Sequence, residues 1–290
     1  MKILITGAGG QLGYDLNRVF RPVHDITAWR RDQLDVSDEK RVMDILLQEH
    51  PDVVIHAAAY TNVDKAEVET ELAYQVNALG PLHIAKACEQ IGAKLVYVST
   101  DYVFDGTKGT PYDERDITNP NNVYGHSKLL GEKFVRMTCS KHFVVRTSWL
   151  YGTKGANFVT KVLEKARSGE PLSIVDDQFG SPTYCLDLAI FLRELIETDR
   201  YGIYHASNQG VCSRYEFATH ILKVMQMEHV PLIPVPSDLF PMPAVRPMYS
   251  AFHHKAISDN GFTPMRDWKS ALNFFLQVDH DYPAVVDKKV

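Results

Sequence analysis

The stretch that decides the fold is Lys2-Ile3-Leu4-Ile5-Thr6-Gly7-Ala8-Gly9-Gly10-Gln11-Leu12-Gly13. Residues 2–6 form a short apolar run with β-branched side chains, which is typical of a buried parallel strand. Glycines follow at the spacing G-x-x-G-x-x-G, and apolar residues then recur at helical spacing (Leu12, Leu16, Val19, Phe20). A strand, a glycine turn and a helix in this order predict a dinucleotide site with its pyrophosphate at the helix N-terminus. A tight turn with no ligand is the alternative.

Strand-like runs and helical patterns alternate along the rest of the first half. The strand-like runs lie at residues 25–29, 52–56, 94–100 and 142–146, with a helix predicted between successive runs. This alternation predicts an α/β fold with a doubly wound parallel sheet of the Rossmann type, and residues 1–150 are expected to form this dinucleotide-binding domain.

The end of the second predicted strand bears on the choice of cofactor. It runs into Arg30-Arg31, where an NAD-selective site usually places an acidic residue. Two arginines suit a 2′-phosphate through charge-assisted hydrogen bonds, so we expect NADPH to be preferred and NADH to be the alternative. Asp35 and Val36 are expected to lie beside the adenine. Two solvated arginines at a strand end would explain the same residues without a ligand.

The carboxyl ends of the next two strands point to the same crevice, because open α/β sheets bind ligands at that edge. Small residues there let a flat cofactor lie against the backbone, although close packing of helix on sheet needs them too. The cofactor contacts expected along this edge are Ala57, Ala58, Ala59, Tyr60, Thr61, Asn77, Val98 and Ser99, and Thr100 is delivered to the same side.

Tyr124 and Lys128 are the candidate catalytic pair. They stand four residues apart in a predicted helix over 124–135, so both side chains lie on one helix face. A neighbouring ammonium favours the phenolate, and we therefore expect Lys128 to lower the pKa of Tyr124 from its reference value near 10. Y-x-x-x-K also occurs by chance in surface helices, and the pair alone is weak evidence.

Composition excludes several classes of protein. The 290 residues are 45% hydrophobic and 23% charged with a net charge of −5, and no run of Lys or Arg indicates nucleic acid or an anionic membrane as a partner. No apolar run is long enough to span a membrane, and no signal peptide is apparent. The four scattered cysteines and twelve histidines show no metal-ligand spacing. We expect a cytoplasmic protein without a metal site.

Seven motifs, taken together, are more specific than any of these patterns alone. They are Gly7 to Gly13, Ala57 to Glu67, Ser99 to Gly106, Tyr124 to Glu132, Arg146 to Gly152, Asp177 to Thr183, and Arg246-Pro247. In this order they resemble the extended short-chain dehydrogenase/reductase superfamily and, within it, the dTDP-4-dehydrorhamnose reductase family. The resemblance covers nearly the whole chain. It departs after Arg246-Pro247, where Met248-Tyr249-Ser250-Ala251-Phe252 replaces an N-S-x-L-like pattern.

The resemblance implies reduction of the C4 ketone of dTDP-4-dehydro-L-rhamnose to dTDP-L-rhamnose, a step in dTDP-rhamnose and cell-surface polysaccharide biosynthesis. NADPH or NADH would supply the hydride. Tyr124 would donate the proton, Lys128 would hold the nicotinamide ribose and tune Tyr124, and Thr100 would orient the ketone. The substrate contacts that the resemblance implies are Thr61, Val63, Thr100, Asp101, Val103, Phe104, Trp149, Gln178 and Arg246, the last toward the diphosphate.

The resemblance also implies a smaller C-terminal lobe for the nucleotide-sugar. This lobe would comprise mainly residues 151–290 and would be interwoven with the first domain through a segment at about 183–210. A homodimer is a further expectation. Some family members use Mg²⁺ at a dimer contact in the region of Asp15, but one carboxylate does not make a metal site.

Two other classes of function compete with this prediction. Another extended-family enzyme, such as an epimerase or a dehydratase, shares the first half of the motifs. Dehydratases place Asp-Glu after the threonine, whereas this chain has Asp101-Tyr102, which weighs against dehydration. A non-catalytic subunit, like the regulatory subunit of methionine adenosyltransferase, resembles the same family. Intact Thr100, Tyr124 and Lys128 favour an enzyme over such a subunit.

Overall fold

A computed structural model describes residues 1–279 of the chain. Its strands are β1 (Lys2–Thr6), β2 (Asp25–Trp29), β3 (Val53–His56), β4 (Lys94–Thr100), β5 (His142–Thr147), β6 (Leu150–Tyr151), β7 (Leu172–Val175), β8 (Phe179–Gly180), β9 (Thr183–Tyr184), β10 (Gly202–His205), β11 (Cys212–Ser213) and β12 (Leu232–Val235). Its α-helices are α1 (Gln11–Phe20), α2 (Glu39–Glu49), α3 (Val63–Ala66), α4 (Thr70–Tyr74), α5 (Gly80–Ile91), α6 (Val123–Thr138), α7 (Phe158–Arg167), α8 (Cys185–Ile196), α9 (Arg214–Val224), α10 (Lys255–Asp259) and α11 (Trp268–Phe274).

The main sheet has six strands in the order β10-β5-β4-β3-β1-β2, and every neighbouring pair is parallel. The strand order reverses between β1 and β3, which are neighbours although β2 separates them in the chain. A crevice opens where the order reverses, at the carboxyl ends of these strands, and this is where open α/β sheets bind ligands.

Helices cover both faces of the sheet, as the alternation of strands and helices predicts. Ile3 and Ile5 face one core, which α1 and α8 complete, whereas Leu4 faces a second core that includes residues of α2, α5 and α6. Burial on both faces explains why the central strands read as continuous apolar runs in the sequence. The predicted doubly wound α/β fold is confirmed.

A third core lies in the second half of the chain. It joins α7, α9 and α11 around Tyr151, Phe217 and Trp268. The chain also returns to the main sheet, because β10 pairs with β5 and α8 packs against α1. The division at residue 150 stays a prediction, and residues 280–290 of the predicted lobe lie outside the described residues.

Within residues 1–279, no helix combines the length and the apolar character that a membrane span requires.

Candidate active site

A cavity of about 650 Å³ runs along the carboxyl edge of the main sheet, from the glycine turn to α6. It brings together most of the residues that the sequence predicts for the site. Those lining it are Gly7, Gly10, Gln11, Leu12, Gly13, Arg31, Asp35, Val36, Ala57, Ala58, Ala59, Tyr60, Thr61, Val63, Val98, Ser99, Thr100, Asp101, Tyr124, Lys128 and Trp149.

The glycine turn lies where β1 and β3 meet, and two of its glycines have no room for a side chain. Gly7 has φ 73°, and a Cβ there would lie 2.6 Å from the backbone nitrogen of Ala58. A Cβ on Gly13 would lie 2.3 Å from the carbonyl oxygen of Gly7, so α1 packs directly on the turn. Gly10 is the N-cap of α1 and no side chain caps the helix, which leaves its first turn available to an anion. The turn therefore fits a pyrophosphate.

The two arginines after β2 have different positions. Arg31 lines the cavity near Asp35, which Ser37 holds through two hydrogen bonds of 2.7 and 2.9 Å to one carboxylate oxygen. Arg30 does not line the cavity, and its side chain lies beside Gly9. Arg31 is therefore the better placed of the two to contact a phosphate on the adenine ribose.

Close packing at the start of α6 brings Tyr124 next to Thr100. Asn122 caps the helix by accepting a hydrogen bond of 2.8 Å from the Gly125 nitrogen. A Cβ on Gly125 would lie 2.1 Å from the carbonyl oxygen of Tyr102, so only glycine lets this turn lie against residues 100–103. The Thr100 hydroxyl lies close enough to the Tyr124 phenol to affect the pKa of that phenol. A phenol and a hydroxyl thus meet in one wall of the cavity.

The electrostatics of Tyr124 and Lys128 differ from the expectation based on the sequence. Burial raises the pKa of Tyr124 above its usual range, while the Thr100 hydroxyl lowers it. Lys128 donates a hydrogen bond of 2.7 Å to the Val98 carbonyl oxygen, and its Nζ lies 4.1 Å from the ring centre of Tyr97. Burial lowers the pKa of Lys128 to about 7, opposed by the charge of Glu132. The pKa of Tyr124 is therefore raised, not lowered as the sequence predicts, because burial is the largest cause of its shift.

Asp101 is a buried carboxyl group at the same end of the cavity. It accepts hydrogen bonds of 2.6 Å from the Ser250 hydroxyl and 3.1 Å from the Thr100 hydroxyl. Burial raises the pKa of Asp101 to about 6, although both hydrogen bonds lower it. Asp101 thus links Thr100 to a segment of the second half of the chain.

A second cavity of about 340 Å³ adjoins the first, and Tyr102 and Arg214 line both. Gln178 and Arg246, which the sequence predicts as substrate contacts, line only this second cavity. Arg246 donates hydrogen bonds of 2.5 and 2.6 Å to the two carboxylate oxygens of Asp64. A contact to a diphosphate would predict an unpaired cation. The charge of Arg246 is instead already paired with Asp64.

Four predicted site residues lie away from both cavities. The Arg30 side chain lies beside Gly9 and lines neither cavity. Asn77 is buried and bonds the backbone of Tyr60 through its amide oxygen at 2.8 Å and its amide nitrogen at 3.0 Å. Val103 and Phe104 are fully buried in a small apolar cluster with Tyr112 and Phe252. These three side chains support the walls of the site and do not form its surface.

The structure adds residues to the site that the sequence did not single out. Tyr102 and Arg214 form the boundary between the two cavities, and Gly155 and Ala156 line the first. Arg214 directly follows Ser213, which caps α9, and this position in the sequence carries no sign of a ligand. Its role depends on contacts with residues distant in sequence.

Asp15 tests whether this chain fits the Mg²⁺ that some family members use. Both of its carboxylate oxygens are buried without a hydrogen-bond partner, and the charge of Asp279 lies nearby. Asp279, however, already accepts from Arg18 and Tyr184. Among residues 1–279, no group of three or more His, Cys, Asp or Glu side chains could hold a metal ion. Among the described residues, Asp15 therefore does not by itself make a Mg²⁺ site.

Two known proteins are similar to this chain over nearly its full length. SpsK, a spore coat polysaccharide biosynthesis protein of Bacillus subtilis (strain 168), is 40% identical over 95% of this chain and 97% of its own. The dTDP-4-dehydrorhamnose reductase of Mycobacterium tuberculosis (strain ATCC 25618 / H37Rv) is 43% identical over 93% of this chain and 91% of its own.

A solved structure shows the same architecture. It is dTDP-4-dehydrorhamnose reductase from Bacillus anthracis str. Ames in complex with NADP, which is 44% identical and superposes with a TM-score of 0.93 over 95% of this chain and 98% of its own. The family model described as RmlD substrate binding domain matches residues 1–280. The chain therefore belongs to the RmlD substrate binding domain family.

Proposed function

We propose that this protein reduces the C4 ketone of dTDP-4-dehydro-L-rhamnose to dTDP-L-rhamnose with NADPH, or with NADH, in dTDP-rhamnose biosynthesis. The observation that carries the proposal is one continuous cavity with the glycine turn at one end and Thr100, Tyr124 and Lys128 at the other. A nicotinamide cofactor and a ketone can meet there. The relatives named above support the substrate class.

The chain's own residues have separate roles in this reaction. The nicotinamide cofactor, when bound, supplies the hydride. Tyr124 donates a proton to the carbonyl oxygen of the substrate, and Thr100 orients that oxygen through its hydroxyl. Lys128 holds the nicotinamide ribose through Nζ. The turn at Gly10 binds the pyrophosphate at the start of α1.

Position supports these roles for Thr100 and Tyr124. The single proton of the Thr100 hydroxyl is donated to Asp101 at 3.1 Å, and the Tyr124 phenol lies beside this hydroxyl. A substrate oxygen placed there receives a hydrogen bond from Tyr124, and one from Thr100 when its hydroxyl turns away from Asp101, so the oxygen is stabilised as charge develops on it. A buried phenol with a raised pKa stays protonated until negative charge develops on this oxygen.

Arg31 supports a preference for NADPH, because its guanidinium lines the adenine end of the cavity beside Asp35. A 2′-phosphate there gains charge-assisted hydrogen bonds that a 2′-hydroxyl does not. The cytoplasmic location, the homodimer and the division at residue 150 stay predictions beside this function.

The decisive experiment mixes the purified protein with NADPH and dTDP-4-dehydro-L-rhamnose and follows the loss of nicotinamide absorbance. We expect one NADPH to be consumed for each dTDP-L-rhamnose formed, identified by chromatography against a standard. A folded protein that consumes no NADPH would refute the proposal. Production of an epimer without net consumption of cofactor would instead indicate an epimerase.

A further inference from the structure

Arg214 differs from the other arginines in the interior of the described chain. Arg146 pairs with Glu132 at 2.8 Å, Arg246 with Asp64 at 2.5 Å, and Arg266 with Asp187 at 2.8 Å. Within residues 1–279, no carboxylate pairs with Arg214 and its guanidinium forms no hydrogen bond. A guanidinium has five N–H donors and stays charged in proteins. Arg214 therefore has free N–H donors and no ion-pair partner among the described residues.

The backbone around Arg214 is firmly held. Arg214 is the first residue of α9, and its N–H donates a hydrogen bond of 3.2 Å to the Gln178 carbonyl oxygen. The preceding Ser213 pairs with Phe179 between β11 and β8, and it forms a reciprocal capping box with Glu216. These contacts fix where the side chain begins.

The side chain is held by aromatic rings. Its guanidinium carbon lies 3.5 Å from the ring centre of Trp149 and 5.3 Å from that of Phe158. The Trp149 indole packs tightly on Gly180, because a Cβ on Gly180 would lie 2.5 Å from it. The backbone of Trp149 has φ 46°. Stacking occupies the faces of the guanidinium and leaves its N–H edge available, which is the edge that binds phosphate in a bidentate manner.

The surroundings of Arg214 favour an anion. The charge of Asp101 stabilises the Arg214 guanidinium and that of Arg246 repels it, but Asp101 forms no ion pair with Arg214. The nearby carboxyl of Asp101 is occupied by Ser250 and Thr100, and Asp64 is occupied by Arg246. Arg214 therefore has no direct ion-pair partner among the described residues.

We propose that Arg214 is the receptor for the diphosphate of the nucleotide-sugar, which would lie at the boundary between the two cavities. The sugar would extend into the first cavity toward Thr100 and Tyr124. The nucleoside would extend into the second, whose walls include Tyr102, Phe158 and Val175. An occupant with an anionic centre and two uncharged ends matches this arrangement. The proposal rests on the proposed function for the identity of sugar and base, but the anion itself is inferred from Arg214.

The test measures binding of thymidine diphosphate, thymidine and NADP⁺ by calorimetry to the full-length protein and to Arg214→Met. Methionine keeps an apolar stem beside Trp149 and removes the charge. We expect thymidine diphosphate to bind about 10- to 100-fold more weakly to the variant, the range for losing hydrogen bonds to a charged group. Affinity for thymidine and for NADP⁺ is expected to be unchanged.

Two further variants complete the experiment. Arg214→Lys keeps the charge without the bidentate edge, and we expect an intermediate loss of thymidine diphosphate affinity. Arg136→Met removes an exposed charge from the last turn of α6, far along that helix from Tyr124, and is expected to bind like the wild type. Equal affinity of Arg214→Met and wild type for thymidine diphosphate would overturn the proposal. An equal loss for all three ligands would also overturn it, because the residue would then support the fold.

Failure of this proposal is distinct from failure of the proposed function. A wild-type protein that reduces the sugar, with Arg214→Met binding thymidine diphosphate normally, overturns only the role of Arg214. A protein that binds thymidine diphosphate through Arg214 but consumes no NADPH overturns only the function.

Discussion

At the scale of single residues, position in the cavity decides the role more than residue type does. Arg30 and Arg31 are adjacent and chemically identical, yet only Arg31 lines the cavity. Arg214 and Arg246 both border the second cavity, yet only Arg246 is paired with a carboxylate. A charge that already has a partner contributes less to a ligand than one that does not.

Replacement of Tyr124 by phenylalanine removes the proposed proton donor and keeps the ring. Proton transfer by a positioned acid contributes about 10²–10⁴-fold, so we expect turnover to fall by about that factor. Cofactor affinity, measured by fluorescence of bound NADPH, should stay within about twofold of wild type because the hydroxyl alone is lost. Turnover close to that of the wild type would contradict the role of Tyr124.

Arg31 and Arg30 provide a matched pair for cofactor preference. We expect Arg31→Met to raise the KM for NADPH by about 10- to 100-fold, because a charge-assisted contact to the 2′-phosphate is lost. The KM for NADH should change little. Arg30→Met is the control, since Arg30 does not line the cavity, and it should leave both values near those of wild type. Equal effects of the two substitutions would count against the assignment.

At the scale of elements, α6 is the critical packing unit because it holds Tyr124 and Lys128 against the sheet. Gly125 and Gly131 are the points where the helix approaches its neighbours most closely. A Cβ on Gly131 would lie 2.3 Å from the Asn77 carbonyl oxygen and 2.5 Å from the Tyr97 hydroxyl. Alanine is usually favoured over glycine in a helix interior, but position 131 has room only for glycine.

We therefore expect Gly131→Ala to lower the free energy of unfolding by about 1–3 kcal/mol, the usual cost of overpacking. Urea unfolding followed by circular dichroism measures this change. Lys133→Ala, at an exposed position of the same helix, should change it by less than about 0.5 kcal/mol. A Gly131→Ala protein more stable than wild type would show that α6 can move away from β4.

At the scale of the whole molecule, the cores are joined through polar groups from distant parts of the chain. Asp15 lies on α1 in the main domain, and the charges of Asp279, Arg18 and Asp187 act on it. Burial, followed by repulsion from Asp279, raises the pKa of Asp15 to about 7. The folded protein thus holds this proton more tightly than the unfolded chain, whose aspartates titrate near 3.9.

This pKa predicts the sign of a pH effect on stability. The contribution of protonated Asp15 to the free energy of unfolding is fully present below about pH 4 and is lost as the pH rises through about 7. We expect Asp15→Asn to unfold at a higher urea concentration than wild type at pH 8, and at nearly the same concentration at pH 3.5. The difference should be on the order of 1–4 kcal/mol. Asp44→Asn, at an exposed position, is the charge control. A variant less stable than wild type at pH 8 would contradict the prediction.

Much of the fold and part of the site could be predicted from short stretches. The turn from Gly7 to Gly13 and the helix after Asn122 depend on spacing and on backbone freedom, which are local properties. The same locality placed Tyr124 and Lys128 on one helix face. The pKa of Tyr124 was predicted in the wrong direction, because desolvation depends on every residue packed around the phenol.

The sequence by itself determined the α/β fold, the cofactor turn and the Tyr124–Lys128 pair, because each is specified by residues close together in the chain. Only the tertiary structure decided which charged groups are free. Asp64 neutralises Arg246 from 182 positions away, and Ser250 reaches Asp101 from 149 positions away. Arg214 lacks such a partner among the described residues, and that was not visible in the sequence. Pairing of side chains across long separations depends on how the elements pack, and no local pattern encodes it.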